Sequence, residues 1–432
     1  MLLYYLDLAR RSLRRNVGLT ILMVIAIAFG IGATMTTLTV LHVLSADPIP
    51  GASGALYYVQ LDPRPAKGYT PGEEPDDQVT RSDAEALVRA ARADHQAMMA
   101  GGEVAVEPRR AGLAPFASET RYTSAEFFAM FRVPFVAGTG WSSDDDGHAA
   151  RVAVISRALA DKLFGELGVV GRTVRVEGND LRIVGVLDTW RPIPHFYDLY
   201  TGAYANSEQL YTPFSTSREL KLARSGTTNC WKETAQSDAV GAPCTWIQLW
   251  VELGDRAKVA AYRDFLNSYS QDQKQAGRFE RPPNIQLRNV AEWLAHKEVV
   301  PRDVHLQTWI ALGFLVVCLV NTVGLLLTKF LHRSVEIGVR RALGASRRAI
   351  FVQLLVEAGT IGLTGGLLGL VLAWLGLWAV RQQPTAYAEL SRLDLPMLVA
   401  TFVLAVASSM LAGLLPAWRG CQVAPAIQLK SE

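Results

Sequence analysis

The sequence predicts an α-helical membrane protein with four transmembrane helices and a large extracytoplasmic α+β module. Half of the 432 residues are hydrophobic, and only 19% are Asp, Glu, Lys or Arg, against about 25% in ordinary soluble domains. Four windows without any of these charged residues are long enough to cross a bilayer, namely 17–44, 304–328, 358–380 and 395–418. A buried soluble helix is the alternative for any one window, but four such windows favour membrane spans.

Lys and Arg in the short flanks predict the orientation of the spans, because these residues resist translocation. Four arginines precede the first span, and six Lys or Arg residues separate the second span from the third. The link between the third and fourth spans carries only Arg381 and Arg392. We therefore expect both termini in the cytoplasm. The chain then divides into residues 1–46, an external block of 47–303 and a membrane part of 304–432.

Strand, helix and strand patterns recur at both ends of the external block, at about 52–113 and 245–300. In the first of these, Ser82 followed by Glu85 predicts the capped start of a helix. The sequence of about 114–244 between them indicates mainly β structure. We expect a discontinuous α/β subdomain with an inserted β-rich subdomain.

Two cysteines lie in the external block, Cys230 and Cys244. An oxidising compartment would allow them to form a disulfide, worth about 3 kcal/mol for a loop of this length. Two free thiols are the alternative, because sequence alone does not give the distance between their Cα atoms. We expect the disulfide.

The stretch from 190 to 243 is rich in loops and aromatic residues. Long irregular segments often carry function, so its aromatic side chains could form an exposed surface for a partner or ligand. A loop packed on its own aromatic residues is the alternative. The side chains in question are Trp190, His195, Phe196, Tyr197 and Tyr200.

Composition and motifs argue against several classes of function. A net charge of +3 without a concentrated basic face does not fit a nucleic-acid partner. No lysine follows a glycine, so the sequence lacks the phosphate-binding loop of an ATPase. Asp144, Asp145 and Asp146 lack the later Glu of a calcium loop and indicate a solvated acidic turn. We expect no catalytic residue, no metal and no cofactor in this chain.

Small residues four apart recur within the spans, a spacing that lets helices pack closely in lipid. They include Gly362 with Gly366, and Gly365 with Gly369, and could pack helices within one subunit or between subunits. Asn321 lies midway along the second span. It should find a partner on a neighbouring helix or on a symmetry-related copy, worth roughly 1 kcal/mol.

The link between the second and third spans predicts an amphipathic helix. Glu336 and Arg340 form a pair one turn apart, Gly344 can end the helix and Ser346 can cap the next one. This helix either lies on the membrane surface or inserts its apolar face into a groove of a cytoplasmic partner. Its apolar stripe, with residues spaced by four, consists of Leu331, Val335, Val339 and Leu343.

The segment EIGVRRALGAS at 336–346, preceded by Asn321 and followed by Gln353 and Glu357, resembles the signature of the FtsX-like permease domain of ABC transporters. Further segments are similar to MacB-type permeases with a periplasmic core domain, and together they cover nearly the whole chain. They are RSLRRN, VAVISRALADKLFG, VGRTVRVEGNDLRIVGVL and PAWRGCQVAPAIQLK.

The resemblance implies a mechanotransmission permease in a bacterial inner membrane, with a large periplasmic domain. In such proteins the helix between the second and third spans docks on a nucleotide-binding subunit, whose ATP-driven dimerisation moves the first two spans and reshapes the periplasmic domain. Apolar side chains would fill a groove there and charged ones would set the orientation. The implied coupling residues are Glu336, Ile337, Val339, Arg340, Leu343 and Gly344.

The resemblance also implies partners. MacB-type proteins carry a fused ATPase, whereas this chain starts a few residues before its first span, so we expect a separate ABC ATPase subunit that binds ATP and Mg²⁺. A second permease copy or a paralogue, a periplasmic adaptor and an outer-membrane channel are the other expected partners. Efflux or extrusion of a peptide, antibiotic or toxin is the expected function. Lipoprotein extraction, or a membrane-anchored periplasmic sensor or scaffold without transport, is the alternative.

Overall fold

The computed structural model describes residues 8, 11–13, 16–110, 112–383, 387–390 and 395–421. Two compact units make up the chain. One is the helical unit, formed by residues up to 45 and from 300 onward. The other is a sheet-rich unit of residues 46–299, here called the sheet module. The sequence-based boundaries at 47 and 303 lie close to this division.

The chain enters the sheet module after helix α1 (Val17–Leu44). The elements of the module then follow in the order β1 (Leu56–Leu61), β2 (Val79–Thr80), α2 (Arg81–Ala90), β3 (His95–Glu107), β4 (Phe116–Thr123), α3 (Phe127–Met130), β5 (Phe135–Gly138), α4 (Ser143–Gly147), β6 (Val152–Ser156), α5 (Arg157–Phe164), β7 (Thr173–Val176), β8 (Asn179–Leu187), β9 (Leu210–Pro213), α6 (Phe214–Glu219), β10 (Asn229–Cys230), β11 (Cys244–Glu252), α7 (Arg256–Gln275), β12 (Ile285–Asn289) and α8 (Val290–His296).

One continuous sheet connects the parts that the sequence assigned to two subdomains. Its strand order is β12-β1-β11-β3-β4-β9-β6-β8-β5. The 13-residue strand β3 makes this connection. Its first half pairs with β11 from His95 to Met99, and the part from Met99 to Val106 pairs with β4. The inserted segment therefore extends the sheet of the α/β part instead of forming a separate sheet.

The capped start of α2 differs from the sequence-based expectation. Thr80, and not Ser82, is the N-cap, and its hydroxyl accepts a hydrogen bond from the backbone N–H of Asp83 at 3.2 Å. The physical reason is the short strand β2, which pairs with β11 and holds Thr80 in the extended conformation that an N-cap requires. Pairing with a distant strand thus set the helix start.

The aromatic stretch between β8 and β9 packs into the core of the sheet module. His195, Phe196 and Tyr197 are almost fully buried, and the ring of Trp190 stacks on that of Tyr197 with centroids 5.4 Å apart. Tyr200 is partly buried, and its hydroxyl donates to Asp77 at 3.0 Å. Of the two interpretations, the structure therefore supports the loop packed on its own aromatic residues, because burial of these rings stabilises the segment more than exposure would.

The helical unit continues with α9 (Arg302–Leu331), α10 (Ser334–Ala342), α11 (Arg347–Arg381), a 3-10 turn (Ala388–Leu390) and α12 (Leu395–Cys421). In the part of the chain that the structure describes, four helices, α1, α9, α11 and α12, are long and apolar enough to cross a membrane. This confirms the four spans that the charge-free windows predict.

Glycines of α11 face other helices of the same chain. A Cβ atom on Gly362 would lie 1.7 Å from the Cβ of Ser409 on α12, so the two helices touch at this point. Gly366 also faces α12, and a Cβ on Gly369 would lie 3.0 Å from Ile31 on α1. These small residues therefore pack helices within one subunit.

Candidate coupling site

Helix α10 is a nine-residue segment between two long apolar helices. Only His332 and Arg333 separate it from α9. After α10, Gly344 adopts φ 101°, a left-handed conformation that favours glycine and ends the helix. Ser346 then caps α11 by accepting a hydrogen bond from the backbone N–H of Ala349 at 3.2 Å. The predicted helix end and N-cap are thus confirmed.

One face of α10 carries exposed apolar side chains one turn apart. Val335 is 63% exposed, Val339 is 50% exposed and Leu343, just after the helix, is 83% exposed. Leu331, which the sequence analysis counted in the same stripe, belongs to the end of α9 and is half exposed. We call Val335, Val339 and Leu343 the apolar stripe of α10. Apolar side chains that stay exposed together mark surfaces that bind a protein partner or a membrane.

The opposite face of α10 points into the helical unit. Ile337 is 7% exposed and belongs to a core cluster with Leu354 of α11. The expectation that Ile337 fills a partner's groove therefore needs correction. It lies two residues before Val339, which is roughly 200° of rotation around the helix, so the two side chains cannot face the same partner.

A buried carboxylate of α11, Glu357, gathers polar groups from several elements. Its side chain is 1% exposed. Lys329 at the end of α9 places its Nζ 2.8 Å from one carboxylate oxygen, and Arg333 places Nη1 3.0 Å from the other. The hydroxyl of Ser12, in the segment before α1, also donates to Glu357. We call this set, with Glu336, Arg340 and Gln353, the Glu357 network.

The Glu357 network continues along α10. The carboxylate of Glu336 accepts from Arg333 at 3.2 Å and from Arg340 at 2.9 Å, which confirms the predicted pair one turn apart. Arg340 also donates to the side-chain oxygen of Gln353 on α11 at 3.0 Å. Burial alone would lower the pKa of Arg333, but the carboxylates of Glu336 and Glu357 outweigh burial and raise it. Arg333 therefore stays charged.

Sequence reasoning missed this network. It counted Lys329 and Arg333 only as orientation signals, and it named Glu357 and Gln353 only through the family resemblance. A usable signal was present, because ionisable residues that border apolar helices are costly and usually functional. The pairing of Glu357 with Lys329 nevertheless has no local pattern, since the two residues belong to different helices.

Asn321, the polar residue midway along α9, is exposed. Its side chain makes no hydrogen bond to any residue that the structure describes. Its neighbours Val317 and Val320 are also exposed, and nothing in the structure lies within 4 Å of a Cβ added at Gly324. This face of α9 is therefore open at a position where an amide would be costly in lipid.

In the sheet module, Cys230 and Cys244 form a disulfide between β10 and β11. The acidic turn near α4 is only partly solvated. Asp146 accepts hydrogen bonds from the indole N–H of Trp141 at 2.8 Å and from the backbone N–H of Ala125 at 2.6 Å, and its burial raises its pKa to about 6. Asp146 is thus a structural residue. Within the described ranges, no group of three His, Cys, Asp or Glu side chains is placed to hold a metal ion.

A second buried charge cluster lies in the sheet module, and we call it the Arg121 cluster. The guanidinium of Arg121, on β4, is fully buried and lies 2.7 Å from Asp198 and 2.8 Å from Glu208. Tyr197 donates to Glu208 at 2.7 Å, and a ring nitrogen of His195 lies 3.8 Å from the same carboxylate. Burial would raise the pKa of Glu208, but Arg121 and then His195 outweigh burial and lower it.

Two curated relatives resemble this chain over most of its length. The macrolide export ATP-binding/permease protein MacB of Marinobacter nauticus is 24% identical over 319 residues, which are 73% of this chain and 44% of that protein. The pyoverdine export ATP-binding/permease protein PvdT of Pseudomonas syringae pv. syringae is 25% identical over 338 residues, 77% of this chain and 45% of that protein. The chain thus spans about half the length of the relatives it matches.

Among solved structures, the periplasmic region of MacB from Actinobacillus actinomycetemcomitans matches 58% of this chain and 95% of its own length, at 13% identity and a TM-score of 0.37.

Two family models match the chain in sequence. Residues 20–269 match the MacB-like periplasmic core domain, and residues 309–425 match the FtsX-like permease C-terminal model. The first match covers more than half of the chain, and the second contains α10 and the Glu357 network except for Ser12. The chain therefore belongs to the family of ABC-transporter permeases that join a MacB-like periplasmic core domain to an FtsX-like permease domain.

Proposed function

We propose that this chain is the permease subunit of a mechanotransmission ABC transporter, with α10 as its coupling helix. In this proposal a separate nucleotide-binding subunit binds ATP and Mg²⁺ and docks on α10. Its ATP-driven movement passes through the helical unit to the sheet module in the periplasm. The observation that carries the proposal is the apolar stripe of α10, which stays exposed although Glu336, Ile337 and Arg340 tie the helix to the unit.

The apolar stripe supports a protein groove over a lipid surface as its binding site. A helix that lies on a membrane needs a large apolar face to hold itself there. Helix α10 has only nine residues, and α9 and α11 already hold its two ends. An exposed stripe with one side chain per turn is typical of a helix that inserts into a groove of another protein.

Chain connectivity and charge support the proposed sidedness. Helix α9 alone connects the sheet module to α10, so a single crossing by α9 puts the two on opposite sides of the membrane. The Lys and Arg residues around α10 favour the cytoplasmic side for it, and with it both termini. The sheet module then faces the periplasm, where the Cys230–Cys244 disulfide is stable.

The open face of α9 supports a second permease copy or a paralogue as a partner. Asn321 is a polar residue in a helix that we place in lipid, and an amide on a neighbouring subunit would satisfy its hydrogen bonds. In this proposal the two permease subunits pack along the faces that include Asn321, Val317 and Val320.

Efflux or extrusion of a periplasmic substrate such as a peptide, antibiotic or toxin is the transport function we propose. The support is that two relatives carry names that specify export of macrolides and of pyoverdine. A periplasmic adaptor and an outer-membrane channel would complete such a pathway.

Replacing Leu343 by Asp tests the docking role of α10. Leu343 is 83% exposed, so the substitution should leave insertion and stability of the permease intact. A charge buried within an apolar contact should cost at least about 2 kcal/mol of binding energy, or roughly 30-fold in Kd. We expect the copurifying ATPase subunit to bind more weakly by this factor, and permease-dependent ATP turnover to fall with it.

The matched control is Val170→Asp, which makes a similar change at a 45% exposed position of the sheet module. It should change neither ATPase affinity nor turnover. If Leu343→Asp binds and stimulates the ATPase subunit as the unchanged protein does, α10 is not the docking helix, and a sensor or scaffold without transport becomes the better explanation.

A further inference from the structure

We infer that Glu357 is a positioning residue that fixes α10 to α9 and α11, so that a force applied to the apolar stripe moves these helices as one body. The inference rests on the proposed docking role of α10 and adds the residues that carry the movement onward. Helices α1 and α9 are the ones that continue into the sheet module, and both are contacted by members of this network.

The contacts of the Glu357 network reach both helices that lead to the sheet module, α1 and α9. Lys329 belongs to α9 and binds Glu357 at 2.8 Å, and its Nζ also lies 3.5 Å from the hydroxyl of Thr20 on α1. Arg333, directly before α10, binds Glu357 at 3.0 Å. Ser12, before α1, donates to Glu357 and accepts from Arg333 at 2.6 Å. One carboxylate thus links α9, α11, the start of α10 and the segment before α1.

Two separate attachments hold α10 to α11. Arg333 reaches Glu357, and Arg340 reaches Gln353, which lies one turn before Glu357 on the same face of α11. Arg333, directly before α10, and Arg340, within it, are about two helical turns apart. A helix attached at two such points cannot pivot about either one, so movement of the apolar stripe must carry the beginning of α11 with it.

Burial makes the ionic contacts of Glu357 stiff. The side chains of Lys329 and Glu357 are at most 1% exposed, and ionic pairs in a medium of low dielectric are stronger than in water. Separating Glu357 from Lys329 or Arg333 would leave an uncompensated buried charge, which is strongly unfavourable. Movement of the start of α10 should therefore displace α9 and α11 as well.

Glu357→Gln in the full chain tests this role, because glutamine keeps the shape and removes the charge. The chain is purified with its copurifying ABC ATPase subunit in lipid nanodiscs. A spin label at Leu306→Cys, an exposed position near the start of α9, reports on the far end of that helix. Cys318 and Cys421 are replaced by alanine so that only this site is labelled. The measured quantities are the Kd of the ATPase subunit and the ATP-induced change in label-to-label distance between two copies.

We expect Glu357→Gln to leave the Kd unchanged and to lower the equilibrium constant of the ATP-induced distance change about 3- to 30-fold. The matched control is Glu103→Gln, the same change at an exposed position of the sheet module, which should alter neither quantity. An unaltered distance change in Glu357→Gln overturns the inference. A Kd of the ATPase subunit that rises as much as in Leu343→Asp also overturns the inference, because the network would then only shape the docking surface.

A second variant covers the case in which Glu357→Gln fails to insert or fold. Replacing both members of a buried ion pair by apolar residues restores stability in many proteins. Lys329→Met combined with Glu357→Met should therefore fold and bind the ATPase subunit, yet still lose the ATP-induced distance change. A double variant that retains the full change overturns the inference. Failure of the proposed function appears separately, as ATPase binding that does not respond to Leu343→Asp.

Discussion

Replacing Arg121 by Met should strongly destabilise the sheet module. Arg121 is fully buried between the carboxylates of Asp198 and Glu208, at 2.7 Å and 2.8 Å. Methionine keeps most of the volume but leaves two buried carboxylates without a cation. Removing one partner of a buried ion pair costs about 3–5 kcal/mol of the free energy of unfolding. For a unit of about 250 residues, in which 1 kcal/mol shifts the midpoint of thermal unfolding by about 2 °C, the midpoint should fall by about 6–10 °C.

The destabilisation caused by Arg121→Met should depend on pH through the carboxyl of Glu208. In the folded protein, burial raises the pKa of Glu208, but Arg121 and His195 lower it more, so it lies below the unfolded value of about 4.3. The stabilisation is therefore present above about pH 4.3 and is lost as the pH falls towards the folded pKa. Without Arg121, burial should raise the pKa of Glu208 instead. The difference in free energy of unfolding between the unchanged protein and Arg121→Met should then become smaller as the pH falls from about 7.5 to about 5, because the carboxyl of Glu208 becomes protonated in the variant.

The assay is thermal unfolding of the full chain in detergent, followed by tryptophan fluorescence at both pH values. Arg109→Met is the matched control, because Arg109 pairs with Asp180 on the surface and is 62% exposed. An exposed pair contributes at most about 1 kcal/mol. If Arg121→Met unfolds at the same temperature as Arg109→Met, or if its deficit does not narrow at low pH, the argument from the buried charge cluster is refuted.

Three further predictions concern the disulfide, the open face of α9 and the glycine contacts. Replacing Cys230 and Cys244 by Ser should lower the free energy of unfolding by about 3 kcal/mol. A reductant should lower the midpoint of thermal unfolding of the unchanged protein but not that of the variant. If a reductant does not change the midpoint of the unchanged protein, this prediction is wrong. Asn321→Leu should weaken association of permease copies by roughly 1 kcal/mol, about fivefold in Kd. Energy transfer between labelled copies in nanodiscs measures this Kd. Unchanged association would exclude Asn321 from the interface. Gly362→Leu should destabilise the helical unit by about 1–3 kcal/mol, because α12 lies against Gly362. Nothing lies within 4 Å of a Cβ added at Gly359, so Gly359→Leu should unfold at a clearly higher temperature than Gly362→Leu.

The four spans and the ends of the helices around α10 were accessible from sequence because each depends on neighbouring residues. A charge-free window needs only its own composition, and the four windows correspond to α1, α9, α11 and α12. The same holds for Ser346 as an N-cap, Gly344 as a helix end and the pair of Glu336 with Arg340. These interactions lie within one or two helical turns, so propensity and spacing predict them.

The pairing of strands in the sheet module could not be predicted from local sequence patterns. Alternation predicts that β1, β3 and β11 are strands, but it does not say which strands are neighbours. The pairing of β3 with both β11 and β4 merged two expected subdomains into one sheet. The start of α2 moved from Ser82 to Thr80 for the same reason, since a strand pairing held the cap residue extended.

By itself, the sequence determined that this protein has four membrane-spanning helices, an external α+β module and an amphipathic helix between the second and third spans. Only the tertiary structure decided which side of α10 is available, turning Ile337 inward and Leu343 outward. It also brought Glu357 to Lys329 and Arg121 to Glu208. The physical reason is that periodicity and capping act over a few residues, whereas these charges meet only after distant segments pack and exclude water between them.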